Sequence, residues 1–171
     1  MSEYTPVEHL TKIQKLKYRA AFFPILLVII SFVLNMIYGI DQTKYLSIFG
    51  FIWYLIIIIQ FRVRRNYPPE SKTEIALSPI YGKVSKIEDR SITIKKGFFQ
   101  SADIRYAGQN IEVTIRSKQA KYFEDQPSLA GRLIGVISSS GICICGIPEG
   151  WKIELNVGDK VTAGESILAV K

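Results

Sequence analysis

Cys143, Cys145 and His9 carry the side chains that most readily act as nucleophiles, bases or metal ligands, and their positions restrict the chemistry. The two cysteines stand two residues apart in a predicted strand, so they point to the same face and are poorly placed to bridge each other. We expect them to be small core residues in a reducing compartment. The only histidine, His9, precedes the predicted folded region, which argues against His-based catalysis there. Zinc needs more ligands than these, so no metal is expected.

Charge and apolar residues are unevenly distributed along the 171-residue chain. It carries a formal charge of +7, 48% hydrophobic residues and a mean hydropathy of +0.17. Residues 20–61 contain almost no charge, whereas the composition after Arg62 is that of an ordinary small domain. Because much of the positive excess flanks the apolar stretch, we do not expect nucleic acid as a partner.

Two apolar runs, residues 20–40 and 45–61, predict a transmembrane helical hairpin. At 1.5 Å per residue the first run reaches about 30 Å, the thickness of a hydrocarbon core. Pro24 is expected in the first turns of its helix, where a missing N–H costs little. The link between the runs is too short to be a domain, so the helices should be antiparallel. A re-entrant or interfacial second run stays open as an alternative.

Basic residues on the outer flanks of the hairpin predict its orientation. They are Lys12, Lys15, Lys17 and Arg19 before the first run, and Arg62, Arg64 and Arg65 after the second. By the positive-inside rule, both termini and the following domain are expected on the cytoplasmic side of an inner membrane. Residues 1–19 are then a basic cytoplasmic tail. We also expect Arg62, Arg64 and Arg65 to contact anionic lipid headgroups.

Beyond a proline-containing linker at residues 62–71, residues 72–171 predict a mainly β domain. Strands are expected at residues 75–80, 83–87, 91–95, 110–116, 133–137, 142–147, 152–157 and 166–170, while residues 118–127 predict a helical turn or a loop. The turns of the segment VGDKVTAGE, residues 157–165, are typical of barrel-sandwich domains of the lipoyl kind. The predicted fold is therefore a two-helix transmembrane hairpin followed by a barrel-sandwich (lipoyl-like) hybrid.

Three segments of the domain resemble phosphatidylserine decarboxylase, especially its short bacterial and archaeal form. They are residues 77–84 (LSPIYGKV), residues 131–137 (GRLIGVI) and residues 148–169. The resemblance implies a carboxy-lyase that converts phosphatidylserine to phosphatidylethanolamine. It also implies a pyruvoyl group, made by self-cleavage at a Gly-Ser bond with an Asp-His-Ser arrangement, that serves as an electron sink.

The sequence departs from that family at the self-cleavage residues. The family's aspartate is replaced by Tyr81, its histidine has no counterpart, and its Gly-Ser pair falls on Ser140-Gly141 in reversed order. Ser139 and Ser140 are weak catalytic candidates, with Lys83 or Glu149 as an unusual base. These two serines and the preceding Ser138 also fit a turn or an edge strand.

These departures leave three functional hypotheses open. The first is a non-catalytic relative of the decarboxylase that acts in phospholipid metabolism and binds phosphatidylserine or another anionic lipid, without a cofactor. The second is an active decarboxylase with a divergent site, which would carry pyruvoyl after self-cleavage. The third is a membrane-tethered barrel-sandwich adaptor for a protein partner. Three further points stay open. Arg132 either fixes a loop or binds a lipid phosphate, and Trp151 lies either in the core or at the level of the lipid headgroups. The chain could also form homo-oligomers.

Overall fold

The computed structural model describes residues 3–39, 41–70, 74–125 and 127–171, which form two helices followed by eleven short strands. The predicted end of the first span at Ile40 and the linker–domain boundary at Ser71 and Lys72 lie outside these residues. The helices are α1 Val7–Tyr38 and α2 Thr43–Gln60; the strands are β1 Ile75–Leu77, β2 Gly82–Glu88, β3 Ser91–Lys96, β4 Asp103–Arg105, β5 Glu112–Arg116, β6 Ala120–Tyr122, β7 Leu133–Ile137, β8 Gly141–Gly146, β9 Lys152–Ile153, β10 Lys160–Val161 and β11 Ile167–Val170.

The helices α1 and α2 are both long and apolar enough to cross a membrane, and they pack against each other. The helix α1 ends at Gly39, whose left-handed backbone lets its N–H donate to the Asn35 carbonyl at 2.9 Å. A close approach of the two helices requires Gly50. A Cβ atom there would lie 2.8 Å from Val28 Cγ2 and 3.1 Å from the Pro24 carbonyl oxygen.

The helix α1 extends well beyond the apolar run, and this corrects two expectations. Pro24 was expected in the first turns, but α1 begins at Val7, so the proline lies in the middle of 32 helical residues. His9 was expected outside the folded region, but it is buried against the β domain together with Ile13. The physical reason is tertiary packing against the domain. It stabilises the helical segment before residue 20, which is too polar for its sequence to predict a membrane-spanning helix.

The β domain consists of three open antiparallel sheets. Their strand orders are β1-β11-β9, β10-β2-β3-β8-β5 and β4-β7-β6. Most of the predicted strands are present, and the observed ones are often shorter. The short strands β4 and β6 were not predicted, and β6 falls where a helical turn or loop was expected, because it pairs with β7.

The main hydrophobic core of the domain includes Ile92, Ile94, Ile104 and both cysteines. The cysteine side chains point to the same side of β8, are fully buried and remain free thiols. A second cluster joins the helices to the domain. It contains the buried residues Ile13, Ala102, Leu133 and Val136, with the half-buried Leu10, Leu16, Phe61, Val63 and Phe123 packed against them.

Candidate functional site

A cavity of about 560 Å³ lies where the hairpin meets the β domain, and we call it the junction pocket. Its walls come from residues 16–20 of α1 and the C-terminal end of α2 on one side, and from β6, β7 and the segment before β6 on the other. The lining residues are Leu16, Arg19, Ala20, Trp53, Ile57, Gln60, Phe61, Lys118, Gln119, Ala120, Lys121, Val136 and Ser138. The pocket therefore spans the boundary between the apolar helices and the polar domain.

The chemistry of the junction pocket is divided between its two sides. The helices contribute large apolar groups, Trp53 and Ile57 among them, and one cation, Arg19, while the domain contributes the cations Lys118 and Lys121. Within the described residues, none of these three cations has a carboxylate within ion-pair distance. The pocket can therefore accept an anionic group beside an apolar chain.

The three arginines expected at lipid headgroups follow α2 directly, and all are exposed. Arg64 and Arg65 line a second cavity of about 310 Å³, outside the junction pocket. The Arg64 guanidinium lies 5.7 Å from the centre of the Tyr81 ring. The Arg62 carbonyl accepts hydrogen bonds of 2.8 Å from Ala102 N–H and from the Ser101 hydroxyl. This stretch of the predicted linker is thus bound to the domain.

Arg132 lies away from those arginines, beside the start of α1. Its Nε donates to Glu124 at 2.8 Å, and its Nη1 donates to the Glu3 carbonyl at 3.4 Å. The same carboxylate lies 3.9 Å from His9 Nε2, while His9 Nδ1 lies 2.7 Å from the Leu133 carbonyl oxygen. These contacts place Arg132 and His9 in the contact between the N-terminal segment and the domain.

The weak catalytic candidates lie in the turn between β7 and β8. Ser139 Oγ is 3.0 Å from Ser117 Oγ and donates to the Ser140 carbonyl at 3.1 Å. Lys96, at the end of β3, reaches this turn, and its Nζ donates to the Ser139 carbonyl at 3.1 Å. Burial lowers the pKa of Lys96 to about 8, against an ordinary value of 10.5.

The two bases suggested for these serines lie elsewhere. Lys83 is exposed on β2, and Glu149 is ion-paired with Arg90 beyond the opposite end of β8. Lys96 was missed because a lysine at the end of an alternating strand is usually exposed, and here the following loop folds over it. The Lys96 ammonium also donates to the carbonyls of Gly97 and Gln100.

Tyr81, where the resemblance would place an aspartate, is held in a chain of hydrogen bonds with neighbouring segments. Its hydroxyl donates to Asn66 Oδ1 at 2.9 Å, and the Asn66 amide donates in turn to the Ala163 carbonyl. Burial, with the nearby Asp103 carboxylate, raises the pKa of Tyr81 to about 12. A phenol that loses its proton so reluctantly is a poor general base. Trp151 is half-buried and packs against the main core.

A buried ion pair that the sequence did not indicate fastens the hairpin to the domain. Arg105 Nε donates to Asp103 Oδ2 at 3.1 Å, and both side chains are fully buried. The remaining nitrogens of Arg105 donate to backbone carbonyls of Tyr4, Gly131 and Arg64 at 3.2, 3.0 and 2.8 Å. One guanidinium therefore binds both the segment that precedes α1 and the segment that follows α2.

Among the described residues, no three His, Cys, Asp or Glu side chains are grouped so that they could hold a metal ion. Comparison of the chain with family models, curated proteins and solved structures finds no match.

Proposed function

We propose that the chain is a membrane-anchored relative of phosphatidylserine decarboxylase that binds an anionic phospholipid in the junction pocket and lacks pyruvoyl-dependent catalysis. In this proposal α1 and α2 cross the inner membrane, and the basic flanks keep both termini and the β domain in the cytoplasm. The turn pair at residues 157–165 supports a barrel-sandwich arrangement of the domain.

The observation that carries the proposal is the position of the junction pocket beside the cytoplasmic-side ends of the two apolar runs, residues 20–40 and 45–61. Arg19 and Gln60 line it, and they mark where the two apolar runs meet the polar part of the chain. A lipid headgroup lies at this level of a bilayer, where Lys118 and Lys121 would bind its phosphate. The acyl chains would then follow the apolar surface of the helices.

The serine turn supports a non-catalytic role. In serine-type self-cleavage the hydroxyl of Ser140 would attack the carbonyl carbon of Ser139, and a base would have to take the hydroxyl proton. Within the described residues the Ser140 hydroxyl has no hydrogen-bond partner. His9 is held by Leu133, and Tyr81 keeps its proton, so neither supplies that base.

One contact favours the active decarboxylase as a second candidate. The Lys96 ammonium donates to the Ser139 carbonyl, and negative charge would develop on that oxygen if Ser140 attacked. A charged donor at this position stabilises such an oxyanion. The resulting ester would eliminate the Ser139 carboxylate and leave a dehydroalanine at residue 140, which water would convert to a pyruvoyl group with release of ammonia.

Intact mass of the purified full-length chain separates the two candidates. We expect a single species of 19.4 kDa. A fragment that begins at residue 140 and carries a pyruvoyl group would establish the second candidate, and Lys96→Met should then abolish the cleavage.

Lipid binding is tested by native mass spectrometry of the full-length protein in detergent micelles, titrated with phosphatidylserine, phosphatidylglycerol or phosphatidylcholine. We expect an anionic lipid to bind preferentially. Lys118→Ser with Lys121→Ser should weaken its binding about tenfold or more, because hydrogen bonds to charged groups contribute about 1.5–3 kcal/mol each. The matched control, Lys86→Ser with Lys152→Ser, removes the same charge from exposed strand positions outside the pocket. Equal weakening by both pairs, or no bound lipid, would contradict the proposal and favour a protein adaptor.

A further inference from the structure

The five-stranded sheet carries a row of cations across one end, which we call the basic rim. The strand registers place Lys160 opposite Lys83, Lys83 opposite Lys95, Lys95 opposite Ile142, and Ile142 opposite Arg116. Residues directly opposite each other lie on the same face of a sheet, and all five are exposed. Four positive side chains thus follow one another across five adjacent strands.

The basic rim lacks internal charge compensation. Within the described residues, none of its four cations has an ion-pair partner. Neighbouring strands lie about 4.8 Å apart, and like charges directly opposite each other are destabilising. Acidic residues gather instead at the far end of the sheet, among them Glu88, Asp89 and Glu112. An external anionic surface would offset the repulsion within the rim.

A loop with two exposed aromatic rings lies beside the basic rim. Phe98 and Phe99 are 39% and 69% exposed, and their rings contact each other edge to face with centroids 5.2 Å apart. The loop is closed at its base by Gln100, whose side chain accepts from Gly97 N–H at 2.7 Å, and by the Lys96 ammonium. The rings are therefore presented on an ordered turn.

The loop and the rim belong to the end of the domain that meets the hairpin. Ser101 and Ala102, which follow the loop, both bind the carbonyl of Arg62, two residues after the end of α2. At the β5 edge of the rim, Lys118 lies two residues after Arg116 and lines the junction pocket with Trp53. The middle strand β3 and the β5 edge of the rim are thus both tied to segments next to the helices.

We propose that this end of the domain docks onto the anionic phospholipid surface of the membrane that the hairpin spans. The basic rim contacts lipid phosphates, and Phe98 and Phe99 enter the headgroup region, where aromatic rings beside cations are favoured. This docking surface adjoins the junction pocket, but the cations of the rim and the two phenylalanines are not among the residues that line that pocket. It rests on the proposed function only in requiring that the hairpin crosses a bilayer.

The test uses a spin label on the full-length protein, reconstituted in nanodiscs of phosphatidylglycerol or of phosphatidylcholine. The label is placed by Phe99→Cys, and the control by Glu149→Cys at the far end of the sheet. Both native cysteines are fully buried, so the introduced thiol takes the label. In phosphatidylglycerol, we expect collisions with oxygen to exceed those with a water-soluble nickel complex at residue 99 only. In phosphatidylcholine, residue 99 should become more accessible to nickel.

Charge variants complete the test. Lys83→Gln, Lys95→Gln and Lys160→Gln together should return the residue-99 label to water in phosphatidylglycerol. A matched triple variant at Lys86, Lys152 and Lys171, also to Gln, should not; these lysines already pair with glutamates on the domain surface. Equal depth in both lipids, equal effects of both triple variants, or full water access at residue 99 would each overturn the proposal.

Lipid occupancy of the junction pocket, measured on the same rim variants, keeps the two proposals apart. The rim variants should leave that occupancy unchanged. In the labelled protein that keeps its rim lysines, retained occupancy with a water-exposed label at residue 99 refutes docking alone, whereas a buried label without bound lipid refutes only the proposed function.

Discussion

Replacement of Arg105 by methionine tests whether the buried ion pair holds the hairpin segments and the β domain together. The change keeps most of the side-chain volume but removes the charge beside Asp103, whose carboxylate is fully buried. It also removes the donors to the carbonyls of Tyr4, Gly131 and Arg64. Breaking a buried pair in this way costs about 3–5 kcal/mol, because it leaves an uncompensated charge.

The loss can be measured by urea titration of the full-length chain in detergent micelles. The fluorescence of the half-buried Trp151 reports on the domain when Trp53 is replaced by phenylalanine, and linear extrapolation gives the free energy of unfolding. Arg90→Met is the matched control. It breaks an exposed pair with Glu149, which is worth about 0–1 kcal/mol. A loss at Arg105 no larger than that at Arg90 would refute the reasoning.

The pH dependence of the Arg105→Met variant provides a second check with a definite sign. Burial raises the pKa of Asp103 more than the Arg105 guanidinium lowers it. Stability from this group is therefore lost as the pH rises through its folded pKa. Without Arg105 the penalty should be largest at neutral pH and should diminish in acid, where the carboxyl is protonated. A penalty that stays constant down to the ordinary pKa of an aspartate would contradict this explanation.

Two further perturbations have expected outcomes. Because burial lowers the pKa of Lys96 to about 8, the free energy of unfolding should rise between about pH 8 and the ordinary value of 10.5. Lys96→Met should remove that rise. If the free energy of unfolding, measured by denaturant titration at each pH, rises equally with pH in both proteins, the prediction is contradicted. Gly50→Val should destabilise the hairpin by about 1–3 kcal/mol, because its Cβ would approach Val28 at 2.8 Å. The midpoint of thermal unfolding of the helical far-UV signal in micelles should therefore fall, whereas Ile52→Val, at a half-exposed position on α2, should have little effect.

The sequence predicted the hairpin and most strands because their signals are local. Two long apolar runs and several alternating segments suffice to identify them. The early start of α1 was not predicted, because the basic residues of this segment obscured its weak apolar periodicity. Leu10, Ile13 and Leu16 recur at helical spacing, and this apolar stripe faces the second cluster.

The sites were harder to predict because they depend on contacts between distant segments. Asp103 and Arg105 occur in a three-residue strand that reads as exposed, and only the crossing of two backbone segments buries them. The basic rim depends on the registers of five strands: Lys83 and Lys95 lie on consecutive strands, but Lys160 and Arg116 come from strands distant in sequence. No local pattern reveals such a row.

The attachment of the hairpin to the domain gives the two proposed lipid contacts a common physical basis. The Tyr4 carbonyl accepts from Leu133 N–H at 2.8 Å, and the Arg62 carbonyl accepts from Ala102 N–H at 2.8 Å. Arg105 adds hydrogen bonds to both segments, so neither can leave the domain without exposing a buried guanidinium or leaving it unpaired. A flexible linker would let the domain tumble, and a row of cations at one edge would then meet lipid only transiently. Because the segment before α1 and the segment after α2 are both fixed, the fold itself would set which end of the sheet faces a bilayer crossed by the helices.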